Sequence, residues 1–223
     1  MANFNIVPIF AAPFAAVAID EATQLNPALE SLFMSRATDA YRDPAIRPDS
    51  LCFRSHEDVF EWQDEAVAQL RQRMLAGICQ VVMAANSYSE AEMHELGLQA
   101  RARFTIVRPD GCIPAATAPM ASWFALYCVT APATAPSQTN SGMLRLFALR
   151  HAQMFIDAAN YRLRAPFDTS HQVWHPVPGH MAVFPATLLH EVVLNRTDAN
   201  LVLVGARVRF ARHDEVGREA PRW

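Results

Sequence analysis

The second half of the chain alternates short apolar runs with turn-forming residues. Seven such runs lie beyond residue 101, and Pro, Gly, Asn and Asp separate them. The runs are Phe104–Val107, Trp123–Val129, Met143–Leu149, Val173–Pro176, Met181–Phe184, Leu188–Leu194 and Leu201–Phe210. Many short strands at this spacing are typical of a β-sandwich or jelly roll.

The first hundred residues carry two helical patterns. Asn26 supplies an N-cap before Pro27 at the first helical position, which predicts a helix start there. Its apolar face consists of Leu29, Leu32 and Phe33. The segment Ser55–Asp58 resembles a capping box, and the apolar stripe after it predicts a long helix to about Ala85. We expect this helix to pack on the outside of a sheet; a partner-binding surface is the alternative.

The composition bounds the class of protein. Hydrophobic residues make up 52% of the 223 residues and charged residues 18%, which is enough to bury a sizeable core. The net charge of −3, with no basic run, disfavours nucleic acid and anionic membrane surfaces as partners. The segment Val7–Ala18 is apolar but has no basic start and contains two prolines, so it predicts a first strand or extended chain rather than a signal peptide.

Lysine and cysteine usage excludes further chemistry. The chain has no lysine, which excludes Schiff-base and P-loop catalysis. Its four cysteines form no CxxC pair. We expect them to be reduced thiols in a cytoplasmic protein.

Four histidines lie close together near the end of the apolar runs: His171, His175, His180 and His190. A Pro-Gly turn precedes an apolar strand that ends at Pro185, and a second strand then begins with His190. In a double-stranded β-helix, a metal-binding histidine lies at this position, at the open end of the barrel. A relocated metal site that includes His175 and His180 is the alternative, although these spacings match no standard zinc pattern.

Five segments occur in the order and spacing of one enzyme family. They are Ala12–Phe14, Leu25–Leu29, Trp123–Val129, Ser141–Gly142 and Phe184–Val192. On these segments the chain resembles the 2-oxoglutarate/Fe(II)-dependent oxygenases of bacterial and phage type. The resemblance spans nearly the whole chain and implies a double-stranded β-helix.

We therefore expect a single domain over residues 1–223, mostly β with flanking helices. Residues 1–100 would form an N-terminal strand and buttressing helices, and residues 101–212 a double-stranded β-helix of the jelly-roll, cupin-like kind. Three aromatic side chains are expected to fill the barrel: Trp123, Phe124 and Tyr127.

The resemblance also assigns the site positions. Its chemistry needs two histidines and a carboxylate, or three histidines, on one face of iron. The two proximal ligand positions correspond to Ala116 and Ala118, whose methyl groups have no lone pair, and the distal one to His190. The arginine that grips 2-oxoglutarate falls at Asn200 or Leu201, so we consider Asn200 together with two later arginines, Arg207 and Arg209, as cosubstrate-binding candidates.

These substitutions predict a degenerate oxygenase-fold protein with no cofactor. It would act as a small-molecule binder or as a partner subunit, and it could form a homodimer. The alternative is an active non-heme iron oxygenase that uses Fe(II), 2-oxoglutarate and a non-standard ligand set around His190. Metal-free chemistry in the same pocket is a third hypothesis, without support from any motif.

Overall fold

The computed structural model describes residues 11–133, 139–148, 163 and 171–212. In chain order, its helices and strands are β1 (Ala15–Ala18), α1 (Ala22–Ser35), β2 (Cys52–Arg54), α2 (Glu65–Asn86), α3 (Glu90–His94), β3 (Leu96–Val107), β4 (Ile113–Ala116), β5 (Trp123–Thr130), β6 (Leu144–Phe147), β7 (His171–Trp174), β8 (His180–Pro185), β9 (His190–Val192) and β10 (Leu201–Arg212). Single 3₁₀ turns span Asp39–Tyr41 and Val59–Glu61.

The described strands form two antiparallel sheets. The larger has the order β1-β8-β5-β10-β3-β2 and the smaller has the order β4-β9-β6-β7. The helices cover one face of the larger sheet, and the smaller sheet covers the other. This arrangement confirms the prediction of a mostly β protein with flanking helices. None of the helices in the described ranges combines the length and the apolar character needed to cross a membrane.

Side chains along β10 alternate between two cores. The even-numbered residues from Val202 to Val208 face the helices, and Leu201 and Leu203 face the smaller sheet. We call the layer between the two sheets the barrel core. Its buried members are Val107, Leu126, Cys128, Leu144, Leu146, Ala182, Phe184, Leu188, Val192, Leu201 and Leu203. Because side chains alternate along a strand, Gly205 and Arg207 also face the barrel side.

The same alternation divides the aromatic residues of β5. Phe124 packs against the barrel core, as predicted. Trp123 and Tyr127 were expected there too, and that expectation is wrong: both lie in the core beneath the helices. Period-2 alternation places residues 123 and 127 on the face opposite to residue 124.

Helix α1 begins at Ala22, five residues before the predicted first helical residue, Pro27. Glu21 precedes it with a φ of 55°, and Pro27 lies inside the helix rather than at its first position. The helix tolerates this proline although it lacks an N–H to donate to the carbonyl one turn earlier. The predicted start at Asn26 is therefore wrong.

Asn26 makes tertiary contacts instead of capping the helix. Its Nδ2 donates to the carbonyl of Val129 at 2.8 Å, and its Oδ1 accepts the hydroxyl hydrogen of Tyr127 at 2.5 Å. Both partners lie on β5, so this buried amide joins α1 to the middle of the larger sheet. Burial raises the pKa of Tyr127 to about 12.

The predicted start of the long helix at Ser55–Asp58 is also wrong. The Ser55 hydroxyl accepts the backbone N–H of Phe104 at 3.0 Å and donates to the carbonyl of His56 at 2.7 Å, so it is committed to β3. Helix α2 begins only at Glu65, although its end at Asn86 agrees with the prediction. A true capping box lies at α3, where Ser89 and Glu92 exchange hydrogen bonds.

Each predicted strand of the second half overlaps an observed strand, although Val173–Pro176 overlaps β7 only in part and β4 was not predicted. Strands β5, β8 and β10 match the apolar runs closely. Within the run Leu188–Leu194, the observed strand β9 is shorter and spans His190–Val192. Strand β3 begins at Leu96, before the first of those runs, and its early part pairs with the last part of β10. Residue 149 and residues 1–10 lie outside the described parts of the chain.

Candidate functional site

His190 opens β9 and lies between the two sheets. In the smaller sheet it pairs with Ala116 of β4 and with Leu146 of β6. From the larger sheet, the ring of Phe124 lies 4.7 Å from the imidazole between centroids, and the ring of Phe184 lies 5.0 Å away. The imidazole is therefore packed against aromatic rings on its barrel side.

The backbone sets the orientation of the imidazole. The Nδ1 atom of His190 lies 2.9 Å from the carbonyl oxygen of Leu188. A carbonyl can only accept, so Nδ1 carries the hydrogen and the neutral ring keeps its lone pair on Nε2. Burial lowers the pKa of His190, which favours this neutral form.

Ala116 and Ala118, the two alanines that the sequence resemblance assigns to proximal ligand positions, lie at the end of β4 and just after it. Ala116 is directly opposite His190 in the antiparallel pairing of β4 with β9, and it is exposed. Ala118 is buried, and its N–H donates to the carbonyl of Ala186 at 2.9 Å. Neither methyl group can donate an electron pair to a cation. Within the described residues, no three or more His, Cys, Asp and Glu side chains gather around one point.

His175 and His180 lie at the opposite end of the barrel. His180 is the first residue of β8, whereas the ring beside His190 belongs to Phe184, about 13 Å further along the strand. The Nε2 atom of His175 lies 2.8 Å from the carbonyl oxygen of Thr139. The structure therefore does not bring these two histidines together with His190.

Arg207, one of the cosubstrate-binding candidates, is engaged within the chain. Its Nη2 forms an ion pair with Oε2 of Glu57, and its Nη1 donates to the carbonyl of Pro119 at 3.2 Å. The other carboxylate oxygen of Glu57 pairs with Arg103 of β3. Glu57 thus lies between two guanidinium groups on the barrel side of the larger sheet. Partial burial lowers the pKa of Arg207.

Arg103 extends this contact into a longer chain of charges. Asp43 accepts from Arg103 at 3.3 Å and from Arg54 at 2.8 Å. The alternating order is therefore Arg54, Asp43, Arg103, Glu57 and Arg207, and we call these five residues the arginine network. It contains three cations and two carboxylates.

The other two cosubstrate-binding candidates lie elsewhere. Asn200 precedes β10, and its Nδ2 lies 4.0 Å from the sulfur of Met34 on α1. Seven residues of extended chain, about 23 Å, separate it from Arg207. Arg209 pairs with Gln99 in the part of β10 that extends beyond β5. Of the three candidates, Arg207 is the one that the register places beside Phe124.

Sequence reasoning missed the partners that surround these residues. Asp43 and Arg103 are far from Glu57 in the chain and belong to no motif, and Glu57 lies inside the segment that resembled a capping box. The packing of Phe124 had one signal in the sequence, which is the position of Gly205 inside a strand. A Cβ added to Gly205 would lie 3.0 Å from the Phe124 ring. Glycine within a strand often marks such a close approach.

Comparison with known proteins supports the fold. No family model matches the chain, and no curated protein matches it. Solved structures do match. A Pseudomonas putida prolyl-4-hydroxylase has 16% identity and a TM-score of 0.57 over 88% of this chain and 92% of its own. SnoN, a non-heme α-ketoglutarate-dependent epimerase from nogalamycin biosynthesis, has 10% identity and a TM-score of 0.60 over 95% and 89%.

A third similar structure names the family directly. An oxidoreductase of the 2OG-Fe(II) oxygenase family from Burkholderia pseudomallei has 10% identity and a TM-score of 0.53, over 88% of this chain and 84% of its own. At such identities the likeness concerns the fold. The chain has the double-stranded β-helix fold of these oxygenases, which confirms the predicted fold and the structural side of the resemblance.

Proposed function

We propose that this chain, built on the double-stranded β-helix of the 2-oxoglutarate/Fe(II) oxygenases, acts by binding and does not catalyse iron-dependent oxygenation. The observation that carries the proposal is the pairing of Ala116 with His190 across β4 and β9. The family resemblance assigns both positions to metal ligands. In this chain one of them ends in a methyl group.

The chemistry of iron binding explains why a methyl group at position 116 matters. A facial site holds Fe(II) through three side-chain donors and leaves three positions open for cosubstrate and oxygen. With Ala116 and Ala118 in place of two donors, His190 is one imidazole among aromatic rings. The described residues therefore do not fit the iron that the fold family implies.

The residues considered for cosubstrate binding support the proposed loss of oxygenase activity independently. A 2-oxoglutarate carboxylate is best held by a bidentate arginine. Arg207, the candidate closest to Phe124, already pairs with Glu57. Asn200 brings no charge and lies against α1. We propose that the ligand is a small molecule or a protein partner, with a second copy of this chain as one such partner.

Anaerobic calorimetric titration with Fe(II), with 2-oxoglutarate, and with both together tests the proposal. We expect no saturable binding of either at micromolar concentrations. The Burkholderia pseudomallei oxygenase-family protein, treated identically, is the positive control. Saturable micromolar binding of both would overturn the proposal.

The alternative function is an active non-heme iron oxygenase with a non-standard ligand set around His190. One observation favours it: the carbonyl of Leu188 holds Nδ1, which leaves Nε2 of His190 available. Metal-ligating histidines commonly have such a second hydrogen bond. Metal analysis of purified protein tests this alternative; about one iron per chain, lost in His190→Ala, would establish it in place of the binding role.

A further inference from the structure

The carboxylate of Glu57 occupies a site that two arginines form. Arg103 and Arg207 lie on neighbouring strands β3 and β10, and their guanidinium groups each pair with a different oxygen of Glu57. All three side chains are partly buried, with exposures of 14% for Arg207, 19% for Glu57 and 24% for Arg103. A carboxylate that bridges two guanidinium groups in this way is in the environment that would bind a free carboxylate.

The strand register explains why a carboxylate is needed there. Arg103 pairs with Gly205, two residues from Arg207, so the two arginines are diagonal neighbours on the same face. Without an anion between them, two like charges would share a partly buried surface.

The backbone around Glu57 is fixed. Ser55, two residues earlier, exchanges hydrogen bonds with Phe104 through both its backbone N–H and its hydroxyl. The N–H of Glu61 donates to the carbonyl of Asp58 at 2.7 Å and closes the turn that follows. Glu57 therefore belongs to a segment that is hydrogen-bonded to β3.

We propose that Arg103 and Arg207 form a carboxylate-binding site whose resident ligand is the chain's own Glu57. The site accepts small carboxylates when Glu57 is removed, and Glu57 excludes them in the wild-type chain. This inference rests on the ion pairs and holds whether or not a metal binds at His190.

Chemical rescue of Glu57→Ala tests the inference. We expect this variant to have a lower Tm than the wild type, because it leaves two arginines without their shared carboxylate. Sodium acetate should raise the Tm of the variant by about 3 °C or more, and calorimetry should detect acetate binding. The wild type should respond to acetate no more than to sodium chloride at equal ionic strength.

Glu191→Ala is the matched control. Glu191 is similarly buried, at 24% exposure, but among the described residues it pairs with a single arginine, Arg145, on the smaller sheet. We expect acetate to give this variant no more stabilisation than chloride. A rescue as large as in Glu57→Ala would show a general ionic effect and overturn the inference.

Glu57→Gln is a second variant that fills the site but carries no charge, so acetate should stabilise it less than it stabilises Glu57→Ala. The inference is wrong if acetate stabilises Glu57→Ala no more than chloride does, if it stabilises both variants equally, or if both fail to fold even in acetate. Inorganic phosphate separates ligand classes: equal rescue by phosphate would indicate a general oxyanion site and overturn the carboxylate assignment. The added substitution Arg207→Ala should abolish the rescue, and persistence of the rescue would contradict the site.

Discussion

Gly205 leaves the space that the ring of Phe124 occupies. A Cβ on Gly205 would lie 3.0 Å from Cζ of that ring, closer than side chains normally pack. The same ring also contacts His190, with 4.7 Å between the ring centroids. The packing of the imidazole therefore depends on a glycine in a neighbouring strand.

We expect Gly205→Ala to destabilise the protein by about 1–3 kcal/mol, because the rigid ring must move in a packed core. Urea denaturation measures the change. Gly77→Ala is the control: its added Cβ would also lie 3.0 Å from a neighbour, but that neighbour is the flexible end of Met181. Alanine is also the better helix former, so this variant should be neutral or more stable. Equal losses in both variants would contradict the role of the Phe124 ring.

Tyr127 should make the stability fall at high pH. Burial raises its pKa to about 12, against about 10 in an unfolded chain. Between these values the folded state keeps a proton that the unfolded state has lost, so stability decreases as the pH rises. At pH 7, Tyr127→Phe should lower the free energy of unfolding by about 1 kcal/mol, because it removes the hydrogen bond to Asn26.

Between pH 10 and 12, however, the stability of Tyr127→Phe should decline less than that of the wild type. Denaturant midpoints across this range measure the difference. All four cysteines are present in both proteins, so the difference between the two profiles reports the Tyr127 hydroxyl together with its electrostatic interaction with Cys128. Parallel pH profiles would show that Tyr127 does not titrate as expected.

His190 should reduce stability in acid. Burial lowers its pKa below the usual 6.5, so below that pH the unfolded state binds a proton that the folded state resists. The stability contributed by the neutral, buried ring is thus complete above pH 6.5 and is lost as the pH falls through the folded pKa. His190→Leu should flatten the profile between pH 7 and 5, as measured by thermal unfolding. His94→Leu, at an exposed position on α3, is the control, and an equal flattening there would contradict the assignment.

Ala116→His should create a two-histidine metal site. Opposed residues in an antiparallel pair have Cα atoms about 4.5–5.5 Å apart, which allows two imidazoles to share one ion. We expect Ni²⁺ to bind the variant at least about tenfold more tightly than the wild type, as measured by calorimetry. The gain should disappear in the double variant Ala116→His, His190→Ala. A gain that survives there would show that the new histidine acts without His190.

The sequence predicted the strands better than the helix starts. Apolar runs such as Trp123–Val129 specify strands locally, because each run must bury at least one face. Asn26 and Ser55 are good capping residues, but each is used for a tertiary hydrogen bond to the larger sheet. Local pattern cannot distinguish the two uses of the same polar group.

The candidate site likewise contains one part that the sequence predicts and another that it does not. His190 could be predicted because it follows a recognisable strand-and-turn pattern. Arg207 was a candidate from the sequence, but its association with Glu57 and Arg103 could not be predicted, since it depends on the register of β3 with β10 and on the path of the chain before α2. No spacing along the sequence encodes such a long-range ion pair.

The position of β10 has a consequence for synthesis on the ribosome. This strand pairs with β3 on one side and β5 on the other, so the last described strand completes the middle of the larger sheet. Until it emerges, the nascent chain presents two open strand edges, which are sites for aggregation. A chaperone that shields them during translation should therefore increase the soluble yield.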